Sequence, residues 1–300
     1  MLFPREEDPA PWLKRDPARI RQMMPVWEWF YRHYFRVQTS GWEHVPAEGQ
    51  LMFVGSHNGG LPSPDMHMFV YDWFRRFGTE RRIYGLAHPK VWTGYPLAAS
   101  LAAAVGAIPY HPRHALKVLE QGHGLLVYPG GGQDVYRPHR HRDRIHLAGR
   151  TGFLRLAIWH DLPIVPLISW GGHDTLIVIE DLYPFAKGLN ERGLLPWLFG
   201  IDPEVMPLYV GLPWGLALGP IPNLPFPVQI HTRVCPPIHF ERSGHAASRD
   251  RSYVQECYRR VQQRMQEALD HLRRDVEGGE ERSAAGRAPV ISSVNRRSAS

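Results

Sequence analysis

Cysteine is almost missing from this 300-residue sequence. Only Cys235 and Cys257 occur, with no CxxC pairing, which excludes a disulfide framework and suits a reducing compartment. Long apolar runs are also lacking. The nearest, VWTGYPLAASLAAAVGAIP over residues 91–109, is uncharged but interrupted by Gly94, Pro96 and Gly106 and dominated by alanine. A spanning helix needs about 20 strongly apolar residues, so a buried small-residue helix is expected there rather than a membrane-dipping segment. The first twenty residues carry early acidic groups and no apolar stretch of signal length, so a cytoplasmic protein is expected. No GxSxG is present to supply a nucleophilic serine, no GxGxxG to bind a dinucleotide, and no Lys-Ser or Lys-Thr follows a glycine-rich loop.

What is there is a basic, aromatic, globular sequence. Net charge is +6 with 17 histidines beside it, and 43% of residues are hydrophobic. That fills a core and favours an anionic partner: phospholipid head groups, CoA phosphates or nucleic acid. Between residues 16 and 36, Trp27, Trp29, Phe30, Tyr31, Tyr34 and Phe35 are interleaved with arginines. Two readings fit this segment, a helix at a bilayer interface and a helix docked on the protein's own core.

Downstream, periodicity predicts strands over 51–55, 82–87, 124–128 and 162–169, alternating with helices over 66–76, 112–121 and 151–160. Such alternation indicates an α/β fold with a mixed, partly parallel sheet flanked by helices, and places function on loops at strand ends. Residues 182–224 show little period and read either as a cover over a lipid-binding groove or as an irregular core-packing insertion. A strand over 228–234 and an amphipathic helix over 251–276 follow.

Two loops carry candidate chemistry. In SHNGGLPSPD, His57 follows an apolar run and Asp65 stands at the start of a predicted helix, placed to fold back toward it. An imidazole is able to take and return a proton near neutral pH, and a carboxylate on its other nitrogen would orient it. The bland alternative is a histidine capping a strand end. In YPGGGQDVYRP, Gly130, Gly131 and Gly132 allow a tight turn and close backbone approach to a ligand. The histidine-rich run over 137–146 has arginines between its imidazoles, which argues for a solvated basic loop or a head-group contact over a metal site.

Taken in order, SHNGGLPSPD, GAIPYHPRHALKVLEQGHGLLVYPGGGQDVYRP and GRTGFLRLAIWHDLPIVPLISWGG resemble the lysophospholipid and glycerolipid acyltransferases. The likeness is to the 1-acylglycerol-3-phosphate acyltransferase type, in the bacterial branch that also resembles diacylglycerol acyltransferases, and it runs from about Trp42 to Phe240. It implies His57 as catalytic general base and Asp65 as its partner, although seven residues intervene here where the family pattern has four. It implies substrate-binding roles for Pro129, Gly130, Gly131 and Asp134. Gly59 and Gly60 join them as residues shaping the site, and Arg150 as an anion contact. Arg113 matches the family's arginine block only loosely. The implied reaction moves an acyl group from acyl-CoA or acyl carrier protein to a hydroxyl of a lysophospholipid or acylglycerol. The carrier is a co-substrate, with neither cofactor nor metal. The expected partners are acyl-CoA and a lipid acceptor at a membrane surface, without nucleic acid, and the protein is expected at the inner face of the membrane. A non-catalytic lipid-binding protein on the same fold and a hydrolase are the rival functions. The expected organisation is a helical segment over 1–40, the acyltransferase domain over 41–277 and a disordered tail over 278–300.

Overall fold

The computed structural model describes residues 15–88, 91–92, 96–197 and 202–285. Expectations for the first 14 residues, and for the tail from 286 onward, lie outside the described residues.

Helix α1 (Pro17–Trp29) opens the chain, with the Asp16 carboxylate capping Ala18 and Arg19 N–H groups, and runs into a π-helical turn at Phe30–Tyr34. Strands β1 (Gln38–Ser40) and β2 (Met52–Gly55) follow, then α2 (Pro64–Phe77), β3 (Ile83–Ala87), α3 (Pro96–Ala104) and β4 (Ala107–Pro109). Next come α4 (Pro112–Glu120), β5 (Gly124–Val127), α5 (Gly131–Val135), α6 (Gly152–Trp159) and β6 (Ile164–Trp170). The last part holds β7 (Ile177–Asp181), α7 (Tyr183–Glu191), β8 (Pro207–Gly211), β9 (Gly215–Leu218), β10 (His231–Val234), α8 (Gly244–Arg249) and α9 (Arg251–Ala285).

Seven strands form the main sheet in the order β1-β10-β6-β2-β5-β3-β4. From β6 to β4 all neighbours are parallel, whereas β10 joins β6 antiparallel and β1 lies parallel to β10. Alternation along the central strands feeds a core on each face. Met52, Val54, Leu125 and Val127 point to the side covered by Ala115, Val118, Phe153, Leu154 and the α9 stripe Val261, Met265, Leu269 and Leu272. Phe53, Leu126 and Val165 point to the other side, against Ile20 and Trp27 of α1 and Phe69 and Trp73 of α2. Strands covered on both faces read as continuous apolar runs, and β2 and β5 are buried throughout.

The 16–36 segment docks on the core through Ile20, Trp27, Tyr31 and Phe35, the second of its two readings, with Val26 and Trp29 left exposed. Residues 278–285 are not a disordered tail: α9 continues to Ala285, because Glu, Arg and Ala after the Gly278–Gly279 pair are strong helix formers. Part of the 182–224 stretch is regular: α7 spans Tyr183–Glu191, and β8 and β9 pair with β7 in a second, antiparallel sheet. No helix among the described residues is long and apolar enough to cross a membrane.

Candidate active site

The chain leaves β2 for the β3–β4 edge, returns to β5 beside β2, then crosses over to β6 on β2's other side. The carboxyl ends of β2 and β5 thus lie together at the point where the strand order reverses, the usual place for a ligand on an open parallel sheet. Val54 pairs with Val127, so the loop carrying His57 and the turn carrying Tyr128 emerge side by side. Their rings stack, with centroids 4.4 Å apart and planes 22° off parallel. Gly55 makes this possible: a Cβ there would lie 2.3 Å from the Tyr128 ring.

Asp134, fully buried on α5, ties the two loops together. Its carboxylate accepts from Ser56 Oγ at 3.1 Å, from the backbone N–H of His57 and from the Arg137 guanidinium. Arg137 is itself buried, with its Nε donating to His141 O at 2.9 Å. Burial pushes the Asp134 pKa up to about 6 while the Arg137 charge and the donated hydrogen bonds pull it down. Asp134 therefore holds His57 by its backbone. Gly130 lets α5 close in, since a Cβ would meet Asp134 Cβ at 2.2 Å and His146 O at 2.4 Å.

Asp65 is buried in the first turn of α2. The expected hydrogen bond to His57 does not form. Asp65 Oδ2 instead accepts from Asn58 Nδ2 at 2.9 Å, and that amide also donates to Ser56 O. The longer loop puts Asn58, the residue next to His57, between the two. His57 Nδ1 and Asp65 Oδ1 are both sealed from solvent without a hydrogen-bond partner. Burial lowers His57 to about 3, assisted by the nearby His67, and raises Asp65 to about 7. Burial, with Asp65 and Asp134 close by, also drives the Tyr128 phenol well above its ordinary value. At neutral pH the imidazole is uncharged and able to accept a proton.

The glycines divide by role. Gly59 (φ +79°) and Gly60 (φ +72°) occupy left-handed backbone, where added Cβ atoms would strike Thr175 Oγ1 at 2.3 Å and Leu176 Cδ2 at 2.7 Å. They press the His57 loop against the 172–176 turn. Gly131 (φ +55°) lies beneath Arg150, whose guanidinium donates to Pro129 O at 3.0 Å. Arg150 thus braces the glycine turn, and Gly131 and Gly132 start α5 rather than forming only a tight turn. Arg113, at the start of α4, receives a cap at its N–H from His111.

The basic run over 137–146 is pinned rather than freely solvated, through the buried Asp134–Arg137 pair, His139 to Asp174 at 2.6 Å and Arg140 to Glu180 at 2.8 Å. Among the described residues no cluster of three or more His, Cys, Asp or Glu side chains is placed to hold a metal ion. Sequence reasoning missed Tyr128, Asn58, Ser56 and Arg137. Arg137 had one legible signal, its i+3 spacing from Asp134.

Residues 36–170 match the family described as Acyltransferase. An uncharacterised protein of Mycobacterium tuberculosis is 28% identical over 205 residues, 68% of this chain and 52% of that protein; the chain thus spans about half the length of the curated relatives it matches. The 2-acylglycerol O-acyltransferase 1 of Mus musculus is 23% identical over 222 residues, covering 64% of each. In overall fold the chain is similar to the crystal structure of the 1-acyl-sn-glycerophosphate acyltransferase from Thermotoga maritima, with a TM-score of 0.50 at 12% identity over 86% of this chain and 79% of that one. The ordered motifs, the match over residues 36–170 and the likeness to 2-acylglycerol O-acyltransferase 1 support a glycerolipid acyltransferase family for this chain, and the Thermotoga maritima structure shows the shared fold.

Proposed function

We propose that this protein transfers a fatty acyl group from acyl-CoA, or from acyl carrier protein, to a hydroxyl of a lysophospholipid or acylglycerol. The observation that carries this reading is the state of His57: a neutral imidazole at the carboxyl end of β2, stacked on Tyr128 and held by its backbone to Asp134. His57 Nε2 accepts the proton of the acceptor hydroxyl as its oxygen attacks the thioester carbonyl. The tetrahedral intermediate then collapses, the carbon–sulfur bond breaks and the thiolate leaves with the proton from the imidazolium.

An imidazole of such low basicity needs a counter-charge while it holds the proton, and Asp65 is the group we assign to that role, acting through space rather than through a hydrogen bond. Backbone N–H groups of the two glycine loops stabilise the developing oxyanion. The membrane is the source of the acceptor, and the protein works there as a peripheral enzyme.

The missing His57–Asp65 hydrogen bond favours a second reading, a lipid-binding protein without catalysis. Mass spectrometry of products from the purified protein, acyl-CoA and a panel of lysophospholipids and acylglycerols in vesicles separates the two. An acylated product lost in His57→Ala supports the transferase; no product with any acceptor, beside intact lipid binding, supports the alternative.

A further inference from the structure

We infer that the outer face of the β7–β8–β9 sheet is the surface by which this protein seats on an anionic bilayer, an inference that rests on the lipid acceptor proposed above.

The two faces of this sheet have different fates. Val178, Tyr209 and Ala217 point inward and pack with Val135 and Tyr136 at the end of the site helix α5. In the antiparallel register Leu208 lies opposite Leu218 and Val210 opposite Leu216, and facing residues share a side of the sheet. On β8 and β9 that outer side is therefore apolar as well, and it is uncovered: Leu216 is 66% exposed, Leu218 52% and Val210 37%; on β7 it carries Glu180, opposite Leu208 and ion-paired with Arg140. A sheet facing water normally alternates apolar and polar residues. Strands β8 and β9 do not, and residues 205–232 contain no Asp, Glu, Lys or Arg at all.

Continuity and charge identify the occupant. Trp214, 56% exposed at the β8–β9 turn, lies beside Leu212, which is bridged to the exposed Leu224. Next along the chain, Pro225 O accepts from Tyr34 Oη at 2.7 Å, and the Tyr34 ring touches the exposed Trp29 on α1. The apolar surface thus ends in two exposed tryptophans, the residue type favoured at a water–membrane boundary. Arg36 donates to Pro227 O at this seam, Arg32 follows Trp29 by one turn and is ion-paired with Glu28, and the whole chain carries +6. Basic groups around an apolar face match an anionic lipid surface, whereas a symmetric protein contact would set like charges against one another. Through its inner side the sheet adjoins the site: Gly60 N–H donates to Val135 O, and Phe226 N–H to Thr175 O beside Gly59.

The test is flotation of the full chain with vesicles of mixed phosphatidylcholine and phosphatidylglycerol. Wild type is compared with Leu216→Glu/Leu218→Glu and with Val26→Glu/Trp29→Glu, each checked for wild-type circular dichroism and melting. Because Leu216 and Leu218 are already solvent-exposed, their replacement leaves the fold intact. Binding by Leu216→Glu/Leu218→Glu is expected to fall on the order of tenfold or more, with acylation of a detergent-dispersed acceptor retained. Unchanged vesicle binding in that variant overturns the inference, as does loss of binding in the α1 variant alone. A dimer that the sheet variant converts to monomer without loss of vesicle binding also overturns it, in favour of a second copy on this face. If vesicles bind through the sheet but no acceptor is acylated, the docking inference stands and the transferase reading fails; acylation without vesicle binding gives the reverse.

Discussion

The backbone N–H of His57 donates to the carboxylate of Asp134, a residue 77 positions later in the chain. The candidate base is thus fixed by its main chain, from a carboxylate that also neutralises the buried Arg137 guanidinium.

Removing that carboxylate leaves Arg137 buried without a counter-charge and the His57 loop unanchored. Asp134→Ala is expected to lower unfolding stability by about 3–5 kcal/mol and to abolish acyl transfer. Urea denaturation reads the first effect. Adding Arg137→Leu should recover much of the stability while activity stays lost; recovery of both would mean that Asp134 serves packing only.

The rate should carry a single acid limb near pH 7. Asp65, raised to about 7 by burial, loses its charge as pH falls through that value and ceases to stabilise the imidazolium. His57, lowered to about 3, stays neutral across this range and contributes no limb of its own. Acyl transfer is therefore expected to rise with pH through about 7 and then level. Asp65→Asn should be slow at every pH and lack the limb, which a pH series of initial rates would establish.

The same carboxyl links stability to pH in the opposite direction. In the unfolded chain Asp65 ionises near its ordinary value of 3.8, while the folded protein keeps the proton until about 7. Between these values the folded state binds more protons, so stability is lost as pH rises through that window and the full penalty persists above it. Asp65→Asn removes the penalty. It is expected to be more stable than wild type at pH 8, by on the order of 2–4 kcal/mol, and nearly equal at pH 3.5. Denaturation at the two pH values decides this.

Tyr128 offers its ring rather than its hydroxyl, which is buried without a partner. Tyr128→Phe keeps the stack on His57 and removes an unsatisfied polar atom, so activity and stability should equal or slightly exceed wild type. Tyr128→Leu loses the planar contact, and a fall of roughly tenfold or more in rate is expected, on the order of the 0.5–1.5 kcal/mol assigned to aromatic pairs or somewhat above it. Initial rates of both variants, beside their melting curves, test whether the stack orients the imidazole.

Much of this arrangement was legible from sequence. Strands 51–55, 124–128 and 162–169 were found within about two residues because doubly covered parallel strands leave continuous apolar runs between helical periods. His57 stood out because it ends such a run. The β7–β9 sheet was illegible for the opposite reason: with apolar residues on both faces, β8 and β9 show no alternation to detect. The Asp65–His57 bond was expected because both residue types were present, but the path of a seven-residue loop, which inserts Asn58, is a tertiary property. The Tyr128 stack depends on the β2–β5 register, which local pattern does not encode.

The neighbouring positions of β2 and β5 also set the order in which the site comes into being. His57 is synthesised early, yet its stacking partner and its backbone anchor arrive only when β5 and α5 dock after the β3–β4 excursion has closed. Contacts so distant in sequence form late in folding. A nascent or partly unfolded chain accordingly exposes the histidine without its frame, which is complete only with the finished sheet.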